Sequence, residues 1–351
     1  TTYLKIASVP EKVAPPKIFR TGINAYLDVL FDTPEAAADF TKFYTMLGFN
    51  SFSGPTRATC LMSDMKKAGM DIFTENWFMH NGYNCGFDQA VPPEISFIGK
   101  NGKKVLPRAI CPVAVYQRGE FFRNKVEKYI EETFYQTSLV DNVMPNWEPE
   151  HSFNGKGCFC DRCREEFIKF SKLPREKILA AWPDKIQSEV KDQWIHFRSW
   201  QHGQVMKTVN TVFLEMNKKY KRDIRFFPLI NYASMLPEVN PIYLESNPRD
   251  YIDDLENIEA WGPYIYQHYT SPWNYRSGVY LASYFSGDLL RSKYPGKKLL
   301  AFPIGALFGV STNYYASPEG IAFETLGYFV NGWYGSLLYR FPQGYDARYW
   351  K

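Results

Sequence analysis

The feature that most constrains the fold is a repeated alternation between short apolar runs and amphipathic segments. Apolar runs of this length predict strands, and apolar residues at a spacing of 3.6 predict helices. The expected strands cover residues 25–31, 50–52, 70–77, 138–150, 223–231, 263–269, 299–309 and 336–342. Strands that alternate with helices form parallel sheets, and eight such units predict a closed (β/α)8 TIM barrel.

The barrel is expected over residues 23–351, after an extended, proline-containing lead-in over residues 1–22. The chain ends soon after the eighth strand, which leaves too few residues for a last helix. A doubly wound open sheet is the alternative architecture. It would favour a glycine-rich phosphate turn after the first strand, and the sequence VLFDTPE has no glycine.

Local signals mark several element ends. Thr33 followed by Pro34 is typical of a helix start, and Gly48 is typical of a helix end. Residues 78–112 interrupt the alternation as a loop excursion, in which the turn sequence KNGK predicts a hairpin. A second, cysteine-rich loop is expected over residues 151–165, and a long helix follows over about 186–220.

Composition excludes two classes of function. The net charge is +4 without a basic stripe, which argues against nucleic-acid binding. No apolar run reaches the roughly 18 residues of a membrane span. The aromatic content of 17% is high. Most of these rings belong in a large core, but some Trp and Tyr side chains are expected to pack on the C–H faces of sugar rings.

Three cysteines lie within the six residues CFCDRC: Cys158, Cys160 and Cys163. Three thiols so close together cannot pair into disulfides without strain and without one remaining, whereas all three can ligate one tetrahedral zinc ion. Cys111 is the best fourth ligand, with Cys60, Cys85 and His151 in reserve. Free thiols, or disulfides to the remaining cysteines, are the alternative. A four-thiolate site is structural because it leaves no position for water.

These residues resemble the family 42 glycoside hydrolases. The resemblance consists of a Cys before Pro at Cys111, a Glu at the end of the fourth strand at Glu148, and the Cys-x-Cys-x-x-Cys pattern before a helix. It covers residues 105–170. It implies a clan A barrel, a carbohydrate substrate, a homo-oligomer, four cysteines around one structural zinc, no organic cofactor, and Glu148 as acid/base. Many glycan-degrading enzymes are exported, so we expect a secreted or periplasmic location over a cytoplasmic one.

Glycoside cleavage needs two carboxyl groups, and barrel enzymes place them at the carboxyl ends of strands. Glu148 in PNWEPE is the expected proton donor. The family's nucleophile at the end of the seventh strand has no counterpart, because LLAFPIGALFG contains no acid. Glu75 or Asp346 is therefore the expected partner. For each of the three carboxylates the alternative is a structural role without a part in catalysis.

Further side chains at strand ends are expected to bind the substrate. They are Asp28, Trp77, Asn146, Trp147, His268, Tyr269 and Trp273. In clan A barrels an Asn precedes the acid/base Glu, but here Trp147 holds that position and Asn146 lies one residue earlier. Plain packing explains any one of these rings.

The sequence thus predicts a hydrolase of a glycosidic bond. Two alternatives stand beside it. One is a non-catalytic glycan-binding barrel that lacks a nucleophile. The other is an unrelated enzyme in which the cysteines form a protein-docking zinc module.

Overall fold

The computed structural model describes residues 17–25, 33–56, 58–76, 78, 91–105, 107–145, 157–231, 251, 253–261, 288, 291–301, 306–307, 314–315 and 318–341. The chain divides into two compact units. The first unit is Thr1–Glu75, Gln136–Met144 and Asn257–Lys351, and the second is Asn76–Tyr135 and Pro145–Glu256.

Eleven strands are found among the described residues. They are β1 Arg20–Ala25, β2 Ser51–Ser53, β3 Asp71–Asn76, β4 Asn142–Pro145, β5 Arg225–Phe226, β6 Leu229–Asn231, β7 Asn257–Trp261, β8 Lys298–Ala301, β9 Ala306–Leu307, β10 Tyr314–Tyr315 and β11 Gly335–Phe341. In the first unit the sheet order is β4-β3-β2-β1-β11-β8-β7. Strands β9 and β10 form a separate antiparallel pair.

The first and last of the described strands lie side by side. Strand β1 pairs in parallel with β11, from Arg20 opposite Gly335 to Asn24 opposite Tyr339. On its other edge β1 pairs in parallel with β2, and β2 pairs in parallel with β3. This order runs from the fourth strand back through the first to the last, which is the connectivity of a (β/α) barrel.

A tyrosine from the first helix bridges β1 and β2. The Tyr44 hydroxyl donates to the Ser51 carbonyl at 2.8 Å and accepts from the Ile23 N–H at 2.6 Å. Burial raises the pKa of Tyr44, so the hydroxyl keeps its proton. A Cβ at Gly22 would lie 2.0 Å from the Ser51 oxygen, so only glycine fits this position. The β1–β2 contact is therefore fixed by two specific residues.

The described helices lie between these strands in the sequence. They are α1 Pro34–Met46, α2 Thr59–Lys67, α3 Pro112–Tyr116, α4 Lys128–Ile130, α5 Asp161–Ser171, α6 Arg175–Ala181, α7 Ile186–Glu189, α8 Lys191–Tyr220 and α9 Pro318–Val330. The π-helical segments Phe122–Glu127 and Glu131–Gln136 flank α4, and Pro93–Ile95 is a 3-10 turn. None of the described helices is both long and apolar enough to cross a membrane.

The expected start of α1 is confirmed. The Thr33 hydroxyl accepts from the Ala36 N–H, and Pro34 is the first helical residue. Gly48, just after the helix, has a φ of +80°, as expected of a glycine that ends a helix. The predicted hairpin in the loop excursion is also present, since Ser96 bridges Ile110 in antiparallel fashion.

Several strands differ in position from the predictions. Strand β1 begins at Arg20, inside the expected lead-in 1–22 and before the predicted start at residue 25. The prediction began too late because RTGINA is less apolar than the run that follows it. The sixth strand is NIEAW at β7, whereas the predicted run 263–269 lies outside the described residues. The fifth strand is divided into β5 and β6 near Pro228, which has no N–H to donate to a ladder.

Candidate functional site: a four-cysteine cluster and a carboxylate at the strand ends

Four sulfur atoms converge in the second unit. The Sγ atoms of Cys111, Cys158, Cys160 and Cys163 all lie within 4.8 Å of one another. Cys111 Sγ is 3.4 Å from Cys160 Sγ and 3.5 Å from Cys163 Sγ. These distances exceed the roughly 2.05 Å of a disulfide, and all four thiols are free. The sequence prediction of a convergent cysteine set is confirmed.

The hairpin of the loop excursion and the start of α5 position the sulfurs. Cys111 follows the hairpin and donates its backbone N–H to the Ile95 carbonyl at 2.8 Å. Cys158 Sγ accepts from the Ile98 N–H at 3.4 Å. Cys160 is the N-cap residue of α5, and Cys163 lies in the first turn of that helix.

The cluster is closed to solvent on most sides. Cys111, Cys158 and Cys163 are fully buried, and Cys160 is partly exposed. Burial, together with the neighbouring sulfurs, raises the pKa of Cys158 and Cys163, while hydrogen bonds from the other three thiols lower the pKa of Cys160. The fully buried Cys158 and Cys163 therefore ionise less readily than an exposed thiol unless a cation lies among the sulfurs.

This donor set fits a tetrahedral soft-metal site. At a Zn–S distance of about 2.3 Å, four tetrahedral thiolates are spaced by about 3.8 Å, and the observed spacings bracket that value. Cys60, the reserve ligand on α2, lies outside the cluster. Cys85 and His151, the other reserves, lie outside the described residues.

A carboxylate and an amide meet at the carboxyl ends of neighbouring strands in the first unit. The Asn24 amide near the end of β1 donates from Nδ2 to Glu75 Oε2 at 2.7 Å. Asn24 Oδ1 accepts from the Ser53 hydroxyl at 2.9 Å, which fixes the orientation of the amide. Asn24 and Ser53 are buried, whereas Glu75 is partly exposed. The arrangement orients one carboxylate at the end of the sheet where barrel enzymes carry their sites.

The other predicted site residues lie outside the described residues. They are Asp28, Trp77, Asn146, Trp147, Glu148, His268, Tyr269, Trp273 and Asp346. Of the predicted carboxylates the structure therefore places Glu75. The roles of all ten side chains stay predictions.

Sequence reasoning missed Asn24, because the first strand was predicted to begin at residue 25, just after it. It also missed Arg198 and Gln201 on α8, which lie beside the cysteine cluster. One signal was available for Arg198, since it falls four residues after Trp194 on the apolar stripe of a long helix. A cation on such a stripe indicates a buried partner.

No protein-family model matches this chain, and no curated protein matches it significantly. Solved structures do match. A β-galactosidase from the psychrophilic Marinomonas ef1 is 12% identical with a TM-score of 0.59; the match covers 92% of this chain but 54% of that enzyme. The glycoside hydrolase domain of PgaB (BpsB) from Bordetella bronchiseptica is also 12% identical with a TM-score of 0.59, over 92% of this chain and 94% of that domain.

The fold is a TIM-barrel-like (β/α) fold. It is shared with glycoside hydrolases, and it agrees with the strand order of the first unit. The chain spans about half the length of the β-galactosidase. At this level of identity the likeness concerns the fold, so the chemistry has to be argued from the side chains.

Proposed function

We propose that this chain is a glycoside hydrolase-like protein that cleaves a glycosidic bond in an oligo- or polysaccharide. The observation that carries the proposal is the Asn24–Glu75 pair at the carboxyl ends of β1 and β3. In barrels, this end of the sheet is where catalytic groups lie. The glycoside hydrolases among the structural neighbours support a carbohydrate substrate.

Two carboxyl groups divide the chemistry. Glu148 is the general acid that protonates the leaving oxygen, and Glu75 is the base or the nucleophile, with Asp346 as the other candidate for that role. An amide donor on Glu75 holds the carboxylate in one direction, which favours attack along a defined line. The separation of the two carboxyl groups would set the outcome, about 5–5.5 Å for retention and 6.5–9.5 Å for inversion.

The four cysteines would hold one structural zinc ion. With all four positions taken by thiolates, the metal supplies rigidity rather than a reactive water. Residues 146–156, which contain Glu148, directly precede the cluster in sequence. The zinc would therefore brace the loop that carries the proposed acid.

The test compares two carboxamide variants on two leaving groups. Glu148→Gln should lose about 10²–10⁴-fold in kcat/KM on an alkyl galactoside, which needs protonation. It should lose much less on 2,4-dinitrophenyl galactoside, whose leaving group needs no proton. Glu75→Gln should lose activity on both. Glu35→Gln, an exposed residue in the first turn of α1, is the matched control and should behave as the wild type.

Galactosides are the first probes, and aryl glucosides, mannosides and N-acetylglucosaminides complete the panel. Turnover of none of these by the wild-type protein, or equal turnover by the wild type and Glu148→Gln, would contradict the proposal.

One observation favours the alternative of a non-catalytic glycan-binding barrel. Strand β8 has the sequence KLLA, and the run 299–309 that contains it has no carboxylate. A barrel without a nucleophile would bind glycans without cleaving them. Glycan-array binding by a wild-type protein that is inactive on every glycoside, with binding reduced in Glu75→Gln, is the result expected of this alternative.

A further inference from the structure

A buried arginine lies beside the cysteine cluster. Arg198, on α8, is 2% exposed. Gly157 packs over its side chain so closely that a Cβ there would lie 2.7 Å from Arg198 Nε. Trp194 lines the same space, one helical turn earlier. A guanidinium in such a position has little access to water.

The charge of Arg198 has no acidic partner among the described residues. Every ion pair found there joins other side chains, and Arg198 Nε is buried without a hydrogen-bond partner. Burial of a charge without a counter-charge is strongly unfavourable. A native protein keeps such a group when a counter-charge lies nearby.

Arg198 reaches the cluster through one side chain. Its Nη1 donates to Gln201 Oε1, and Gln201 Nε2 donates to Cys163 Sγ at 3.5 Å. Gln201 and Cys163 are both fully buried. The amide therefore connects the guanidinium to one sulfur of the cluster.

We propose that Arg198 is the counter-charge of the metal centre and acts on it through Gln201. This inference rests on the proposed zinc site. Four thiolates around a divalent cation carry two net negative charges. A guanidinium within the same low-dielectric interior offsets part of that excess, and the Gln201 amide orients the Cys163 sulfur. Arg198 is thus a positioning residue for a ligand rather than a ligand.

The neighbouring histidine does not supply this charge. His202 is 2% exposed, and burial together with the positive charge of Arg198 lowers its pKa to about 3. Without a metal ion His202 is therefore neutral at neutral pH, whereas Arg198 carries a charge.

Zinc affinity tests the inference without reference to catalysis. Purified Arg198→Met and Gln201→Leu proteins are compared with the wild type by competition against a chromogenic zinc chelator. Loss of an outer partner of a metal ligand weakens binding by about 10- to 100-fold, and we expect this for both variants. Arg198→Lys keeps the charge and should lose less. Arg164→Met, adjacent to Cys163 but paired with Asp161 at 2.9 Å and 27% exposed, is the control and should keep wild-type affinity.

A second readout separates this role from ordinary packing. In the metal-free protein Arg198 is an uncompensated buried cation. Arg198→Met should therefore leave the Tm without zinc unchanged or higher, and should reduce the rise in Tm that zinc causes. Equal losses of Tm in both forms, with zinc affinity unchanged, would overturn the inference. Should Arg198→Met fail to fold, wild-type zinc affinity in both Gln201→Leu and Arg198→Lys would overturn it as well.

Failure of the zinc site itself has a different signature. In that case the wild-type protein would contain no zinc, and its cobalt(II) complex would lack the absorption bands of tetrahedral thiolate ligation. The wild type thus tests the metal, and the Arg198 variants test the counter-charge.

Discussion

Two carboxylates on strand β3 occupy opposite ends of the same strand and have different surroundings. Asp71 is the first residue of β3, and its side chain is 9% exposed. Its oxygens accept from Arg20 Nε at 3.0 Å, from the Tyr334 hydroxyl at 2.7 Å and from Asn142 Nδ2 at 2.9 Å. Glu75, four residues later, is partly exposed and accepts from the Asn24 amide.

The donors explain the difference. Arg20 and Asn142 begin β1 and β4, and Tyr334 directly precedes β11, so the amino ends of four strands are tied to one carboxylate. At the carboxyl ends, Glu75 keeps access to solvent. In barrels the amino-terminal face stabilises and the carboxyl-terminal face reacts. Within the first unit, stability and function are thus expected to separate along a single strand.

Exchange of Glu75 for Gln gives the largest expected effect. The loss of a base or nucleophile should lower kcat/KM by about 10³-fold, or about 4 kcal/mol of transition-state stabilisation. The free energy of unfolding should change little. Steady-state kinetics and urea denaturation measure the two quantities. A large loss of stability with unchanged kinetics would reverse the comparison.

Asp71→Asn should have the converse effect. The amide has no charge to pair with Arg20, and its NH2 group would face the donating Asn142 Nδ2, so unfolding should become easier by about 2–3 kcal/mol. Because Arg20, Asn142 and Tyr334 lie at the amino ends, kcat should stay within about twofold. Urea denaturation followed by tryptophan fluorescence checks the first value. A fall in kcat at a temperature where the variant is fully folded would contradict it.

Asn24→Ala sharpens the functional end. Removal of the amide leaves the Glu75 carboxylate less well oriented, and we expect about a tenfold loss in kcat/KM, or about 1.4 kcal/mol. Asn24→Asp, which replaces a donor with a second charge, should lose more. If instead the alanine variant were as active as the wild type, the Asn24–Glu75 hydrogen bond would have no part in the function.

Tyr334→Phe has the smallest expected effect. It removes one hydroxyl from Asp71 and leaves the ring over Arg20, where the guanidinium carbon is 5.7 Å from the ring centroid. The expected cost is about 1 kcal/mol of unfolding free energy, without a change in kinetics. In a double variant with Asp71→Asn, the two losses should not add, since both remove the same contact.

Features that depend on neighbouring residues in the sequence were predictable. Thr33, Pro34 and Gly48 gave both ends of α1, because caps are local. The spacing of CFCDRC gave three of the four clustered sulfurs, and the Cys-Pro pair gave the fourth by resemblance.

Features that depend on distant contacts were not predictable. The Asn24–Glu75 pair joins residues on different strands, and the strand that carries Asn24 was predicted to begin only at residue 25. Arg198 lies 35 residues after Cys163 in the sequence, and the two are connected through the Gln201 side chain. The sequence predicted only an apolar face for the helix that carries Arg198 and Gln201. A single sequence does not specify the strand register or the helix packing that brings such residues together.

The cysteine cluster also has a topological consequence for the chain. A metal ion bound to Cys111 and Cys158 would close a covalent–coordinate ring of about fifty residues. Ring closure of that size restricts the unfolded chain by roughly 4 kcal/mol in the chain-entropy model. The ring contains β4 and Glu148. A chelator would open the ring, so β4 and the segment that contains Glu148 would lose the same constraint together.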